Sequence, residues 1–149
     1  MNKEFFNIAF MEAKKAFDLD EVPIGAVIVK NGTVISSGFN MKESNNCSLD
    51  HAELIAIKEA SSKLNNWRLD DCDIYVSLDP CPMCASAIKQ ARIQNVYSAL
   101  NNKDFANKDI LKMIFQSDLT NPGVSFQSNL DTERFKKILN SFFEKQRNS

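Results

Sequence analysis

Two short stretches, His51-Ala52-Glu53 and Pro80-Cys81-Pro82-Met83-Cys84, constrain this chain more than any other feature. An imidazole and two thiols form a donor set suited to zinc. Structural zinc sites normally take four protein ligands, whereas catalytic ones take three and leave a position for water. His51 is the only histidine, and the remaining cysteines, Cys47 and Cys72, form no second Cys-x-x-Cys pair. The count therefore favours three ligands, His51, Cys81 and Cys84. Glu53 adds a carboxylate beside the metal without having to ligate it. Taken alone, the cysteine pair is equally compatible with a structural zinc knuckle or a redox pair. His51 and Glu53 together shift the balance to catalysis. The fold must then bring two segments about thirty residues apart to one point.

At 149 residues the chain is read as one domain, 1–149, large enough for one core. Hydrophobic residues make up 44% and charged residues 25%, as in ordinary globular proteins. The formal net charge of -1 excludes a global basic signal for nucleic acid, so any such contact must be a local patch. Met1 to Phe10 lacks the basic start and apolar run of a signal peptide, and no apolar stretch is long enough to span a membrane. The expected setting is the reducing cytoplasm, with no membrane association. There a Cys-x-x-Cys pair reads as metal or redox chemistry.

Hydrophobic periodicity predicts a helix over Asn2 to Phe17. A polar link, Asp18 to Pro23, leads to a strand from Ile24 to Lys30. Asn31-Gly32 is a favoured two-residue hairpin turn, so Thr33 to Phe39 returns as a second strand. After the irregular Asn40 to Asp50, a helix runs from Ala52 to Leu64, with Asp50 placed to cap it. Asp73 to Leu78 is a strand, Pro82 to Ala91 a helix and Ile93 to Leu100 a strand. This alternation fits βαβ units and a partly parallel sheet. Ile110 to Phe115 has a helical pattern, Asn121-Pro122-Gly123 a turn and Val124 to Phe126 a short edge strand. Asp131 to Arg147 closes the chain as an amphipathic helix. His51, Glu53, Cys81 and Cys84 thus sit at helix starts, where unpaired N–H groups and a metal favour the thiolate.

His-x-Glu followed by Pro-Cys-x-x-Cys is the pattern of zinc deaminases acting on nucleobases. The surrounding residues resemble the cytidine deaminase superfamily and, within it, the bacterial tRNA-specific adenosine deaminases. The resemblance spans residues 3 to 100. It includes Glu21-Val22-Pro23-Ile24-Gly25-Ala26-Val27-Ile28-Val29, Gly38-Phe39-Asn40, Asn66-Trp67-Arg68-Leu69 and Leu78-Asp79-Pro80-Cys81-Pro82-Met83-Cys84-Ala85, and it resumes at Ser141-Phe142-Phe143. It implies a three-layer α/β/α fold with a five-stranded mixed sheet, a homodimer and one zinc ion (Zn2+) per subunit. The implied reaction is hydrolytic deamination of the wobble adenosine, position 34 of tRNA, to inosine. Zinc-bound hydroxide would attack the base carbon, with Glu53 as proton shuttle and His51, Cys81 and Cys84 as ligands. By position, Asn40 matches the residue that hydrogen-bonds the purine, and Val22 and Pro23 match the wall of the base pocket. Read without the family, Asn40 is a turn residue ending a strand, and Val22-Pro23 an entry into the sheet.

The implied partner is the tRNA anticodon arm, whose loop bases are nearly free of their stack and cost little to extrude. Lys42, Arg68, Lys103, Lys108, Lys145 and Arg147 are the candidates for phosphate contacts at the pocket mouth. Four departures from the family pattern bear on this expectation, one being a final helix whose Glu144-Lys145-Gln146-Arg147 is less basic than the family's Arg-rich end. Asp50 precedes the histidine where a small residue is usual, and Asp79 replaces a glutamate. The glycine-containing segment after the fourth strand is largely missing from Ser98 to Asp109. Two alternatives stand beside the RNA reading. One is a guanine or other free-base deaminase, which shares Pro-Cys-Pro-Met-Cys. The other is a non-catalytic RNA-binding subunit, against which the retained Glu53 argues.

Overall fold

Asn31 and Gly32 both take positive φ (51° and 77°), the pair a tight hairpin turn demands. This turn joins β1 (Gly25–Lys30) to β2 (Thr33–Phe39) in antiparallel register, with Gly25 opposite Phe39. The computed structural model, which describes residues 1–102, 108–117 and 123–148, builds the rest of the sheet outward from that hairpin. β3 (Cys72–Val76) pairs antiparallel with β1. β4 (Asn95–Ser98) and β5 (Ser125–Gln127) then add in parallel, giving the order β2-β1-β3-β4-β5. The sheet is five-stranded and mixed, as expected.

Alternation along the strands divides the core into two layers. Val27, Val29, Tyr75 and Tyr97 face α1 (Phe5–Asp18) and α5 (Thr132–Arg147), meeting Phe6, Ala9 and Phe135. Ala26, Ile28, Ile74, Val76 and Val96 face the other way, toward α2 (Ala52–Leu64), α3 (Pro82–Gln90) and α4 (Lys108–Gln116). The central strands read as continuous apolar runs because both their faces are covered. The result is the three-layer α/β/α arrangement.

Two glycines set how closely helices approach. A Cβ on Gly25 would collide with the Ala9 carbonyl and lie 2.7 Å from the Ala13 nitrogen, so α1 rests on bare strand backbone. A Cβ on Gly38 would lie 2.7 Å from the Ala52 carbonyl, at the start of α2 on the opposite face.

Element ends differ modestly from expectation. α1 begins at Phe5 because Asn2 is held outside it: its N–H donates to the Tyr75 hydroxyl, and its Oδ1 accepts from the Glu4 N–H. β3 and β4 stop at Val76 and Ser98, short of Leu78 and Leu100, which instead line a cavity beyond the strand ends. The helical pattern at 110–115 is α4, and the edge strand is β5. Asn121 and Pro122 of the expected turn lie outside the described residues. Among the described residues, no helix is long and apolar enough to cross a membrane.

Candidate active site

The topology gathers the site at one end of the sheet. β1 enters where β2 and β3 leave, because β1 is antiparallel to both. Val22 and Pro23, just before β1, therefore neighbour Asn40, just after β2, and Leu78 to Cys81, just after β3. The Ser77 hydroxyl accepts from the Gly25 N–H at 2.9 Å, and the Ser77 N–H donates to the Gly25 carbonyl at 3.0 Å, sewing these ends together.

α2 and α3 both start at this end. His51 is the N-cap of α2 in an extended conformation, and Cys81 is the N-cap of α3, followed by Pro82 in the first turn. Asp50 is not the cap. The extended backbone of His51 puts Asp50 one residue outside the helix, where its carboxylate accepts from the Asn45 side-chain amide at 2.8 Å.

His51 Nδ1 lies 3.7 Å from Cys81 Sγ and 3.5 Å from Cys84 Sγ, and the three ligand atoms fall within 4.8 Å of one another. Zinc bonds to nitrogen and sulfur, meeting at a tetrahedral angle, imply an N–S separation of about 3.6 Å. The donor set and its spacing therefore fit a zinc ion. Cys47 and Cys72 are not part of this group.

The thiols are polarised against each other. Interaction with Cys84 outweighs burial and, with the N–H groups of Cys84 and Met83 and with His51, holds Cys81 down at about 5. Interaction with Cys81 and burial push Cys84 up. A metal bound here would displace the proton of a ligating thiol. Glu53, in the first turn of α2, is 4% exposed and pushed up to about 7. Burial is the main cause, and the Cys81 charge adds to it. Its own N–H, His51 and a hydrogen bond from Cys84 pull the other way. A carboxyl at that value exchanges protons readily near neutrality.

Two loops form the surrounding walls. Asn40 is buried. Its Nδ2 donates to the Val22 carbonyl at 3.3 Å, and its Oδ1 accepts from the Lys42 N–H at 3.2 Å. One amide N–H and one lone pair remain for a ligand. Pro23 is buried and Val22 half-buried. Pro23 shares a small cavity with Leu78, Leu100 and Leu139. Those three leucines also line a second cavity of about 510 Å³, whose polar wall includes Asn101, Asn102, Asn129, Lys136 and Asn140.

The basic candidates separate. Lys42 and Arg147 are exposed, and Lys145 pairs with Asp20 at 3.0 Å. Arg68 sits at the opposite end of the sheet, before β3, paired with Asp70 at 2.9 Å, and so does not line the mouth. Lys103 and the Lys108 side chain lie outside the described residues.

The family model for MafB19-like deaminases matches residues 1–147. The tRNA-specific adenosine deaminase of Aquifex aeolicus is 40% identical, over 100% of this chain and 99% of its own. The chain belongs to the family of the tRNA-specific adenosine deaminases. A solved tRNA:A34 deaminase, from work on A-to-I editing at the wobble position of transfer RNA, superposes with a TM-score of 0.84 at 33% identity. That match covers 92% of this chain and 99% of the other. The guanine deaminase of Bacillus subtilis is 34% identical over 100% of this chain and 96% of its own, with a TM-score of 0.66. Identity hardly separates these two structures, whereas the fit of the backbone does.

Two polar tethers were not assigned from sequence. The Ser128 hydroxyl donates to buried Asp79 at 2.6 Å, tying the β5–α5 connection to the turn before Cys81. Glu21 accepts from the N–H groups of Glu43, at 3.0 Å, and Ser44. Asp79 and Glu21 both stood in the motifs of the resemblance. Their partners, 49 and 22–23 residues away, have no local sequence signal.

Proposed function

We propose that this chain deaminates the wobble adenosine, position 34 of a tRNA, to inosine, with one zinc ion per subunit. In this reading residues 1–149 are a single zinc-dependent domain that works in the cytoplasm as a homodimer. The observation that carries the chemistry is Glu53, buried against a His-Cys-Cys group whose spacing suits zinc. The full-length similarity to tRNA-specific adenosine deaminases carries the substrate.

His51 Nδ1, Cys81 Sγ and Cys84 Sγ would hold the ion. Zinc supplies Lewis acidity there, drawing the pKa of a water toward neutrality. Glu53 would take one proton of the attacking water and pass it to the ring nitrogen, then carry the second, from the new C6 hydroxyl, to the departing amine. A C–O bond forms at C6 of the adenine, the C6–N6 bond breaks, and ammonia leaves. Asn40 would offer its remaining N–H and lone pair to the purine, with Val22 and Pro23 as the wall beside it. The asparagine-rich cavity next to Leu78 gives room and amide groups for more of an RNA strand than the reacting base. Exposed Ile110 and Met113 on α4 are an apolar surface that a second copy would cover.

Inosine formation by the zinc-loaded protein on an adenosine-34 tRNA transcript, with free adenosine, guanine and cytidine alongside, tests this reading. The expected product is inosine in the tRNA alone. Turnover of guanine with the tRNA untouched would favour the second reading, a free-base deaminase, which the Bacillus subtilis guanine deaminase supports through its 34% identity.

A further inference from the structure

Glu21 is 1% exposed, and among the described residues it has no lysine or arginine partner. A buried carboxylate without a cation is costly unless its oxygens are hydrogen-bonded. Here each oxygen accepts one main-chain N–H, from Glu43 at 3.0 Å and from Ser44. Burial by itself would raise the Glu21 pKa, but the bonds from Ser44 and Glu43 outweigh it and hold the carboxyl below its ordinary value. The carboxylate is therefore fully engaged in gripping one loop.

That loop is the one that delivers the site. It runs from 41 to 50, and its ends are closed by the Met41 N–H donating to the Asp50 carbonyl at 3.0 Å, directly before His51. Asn40 stands at its entrance. Its main-chain N–H donates to the Ile24 carbonyl at 3.0 Å, and its side chain donates to the Val22 carbonyl at 3.3 Å. Glu21 is the residue before Val22 and Pro23. The segment 21–24 thus touches the segment 40–44 at Ile24, Val22 and Glu21 in turn, and the outermost of these grips rests on one side chain.

We propose that Glu21 is a positioning residue that sets the base pocket by holding the 41–50 loop against Val22 and Pro23. It touches neither metal ligand nor reacting atom. Its carboxylate fixes where Asn40 presents its free amide group relative to the pocket wall. The inference rests on the deaminase reading above, so its test has one arm that needs no substrate.

Glu21→Gln keeps the shape but turns one of two acceptors into a donor facing an N–H. Hydrogen exchange on the zinc-loaded protein should show faster exchange at Glu43 and Ser44, with zinc per chain unchanged. On the tRNA anticodon stem-loop, KM should rise about tenfold, the cost of one lost charged hydrogen bond, while kcat stays within about threefold. Glu21→Asp keeps both acceptors, and should restore most of the KM. It also carries the test where the Gln variant folds poorly. Glu12→Gln is the control, because Glu12 is also buried but bonds Lys15 and Ser37 at the other face of β2. It should leave KM unchanged. Faster loop exchange with KM and kcat both unaltered would make Glu21 a purely structural anchor and overturn the proposal. Equal shifts in KM for Glu21→Gln and Glu12→Gln would do the same. A wild-type protein inactive on the stem-loop would instead sink the tRNA reading, leaving the exchange result to stand by itself.

Discussion

His51, Cys81 and Cys84 hang from two helix starts, whereas Asn40, Val22 and Pro23 stand on chain segments tied down by individual side chains. In the first region the positions follow from main-chain geometry. α2 and α3 lie on a sheet whose facing residues are small or branched, Ala26, Ile28 and Val76 against Ala52, Ala56 and Ala85. Close packing of that kind spreads the restraint over many contacts. In the second region individual polar bonds hold the walls, from Glu43 and Ser44 of the 41–50 loop to Glu21 and from Asn40 to Val22. The difference teaches where each half is vulnerable. The metal group should yield only to loss of a ligand or to a change that moves a helix, and the walls to loss of one hydrogen bond.

The largest effect is expected at Glu53, which stands beside the metal group and, in the proposed reaction, moves protons. Glu53→Gln should lower kcat by about 10²–10⁴-fold, the usual share of a proton-transfer group, and leave zinc stoichiometry unchanged by metal analysis. Gly38→Ala tests whether that region answers to helix position. Its methyl would meet the Ala52 carbonyl at 2.7 Å and the Ala56 nitrogen at 3.0 Å, both main-chain atoms of α2. Thermal unfolding should show a loss of about 3 kcal/mol, and zinc affinity should fall with it. Retention of zinc affinity after such a loss would show that the ligand turn is independent of α2.

Ser128→Ala probes a side-chain bond that reaches the turn before Cys81. It strips Asp79, 6% exposed, of its hydroxyl partner and should cost about 1–3 kcal/mol in denaturant unfolding, with zinc content unaffected. Loss of zinc in this variant would erase the distinction between the two regions. The Glu21 tether should also be legible in pH. Its folded-state pKa lies below the ordinary 4.5, so its stabilisation is fully present above 4.5 and is lost as pH falls through the folded value. The stability gap between wild type and Glu21→Gln, about 1–2 kcal/mol at pH 7, should therefore narrow below pH 4.5. The smallest effect is expected from Lys145→Ala. Its pair with Asp20 is exposed on both sides, and its removal should change stability by less than about 1 kcal/mol.

The metal region was legible because its information is local. A histidine, a glutamate two residues on, and a Cys-x-x-Cys pair each announce their chemistry within a few residues, and helix periodicity places them at first turns. The misplaced cap shows the limit of that logic. Asp50 is a residue type that caps helices, but the extended backbone of His51 starts the helix one residue later. Arg68 failed for another reason. Its charge made it a candidate for a phosphate contact, but β3 runs from there toward the site, so Arg68 lies at the far end of the strand.

By itself the sequence determined the alternation of helix and strand, the Asn31-Gly32 turn, and the His51, Cys81, Cys84 and Glu53 constellation. Those are properties of periodicity and donor chemistry, which a short window contains. Only the tertiary structure decided which loops share the end of the sheet with the metal group, that burial raises Glu53 to about 7, and that Glu21 and Asp79 each grip a segment far along the chain. Such facts depend on strand order and on water being excluded between distant segments, and no local pattern of residues encodes either.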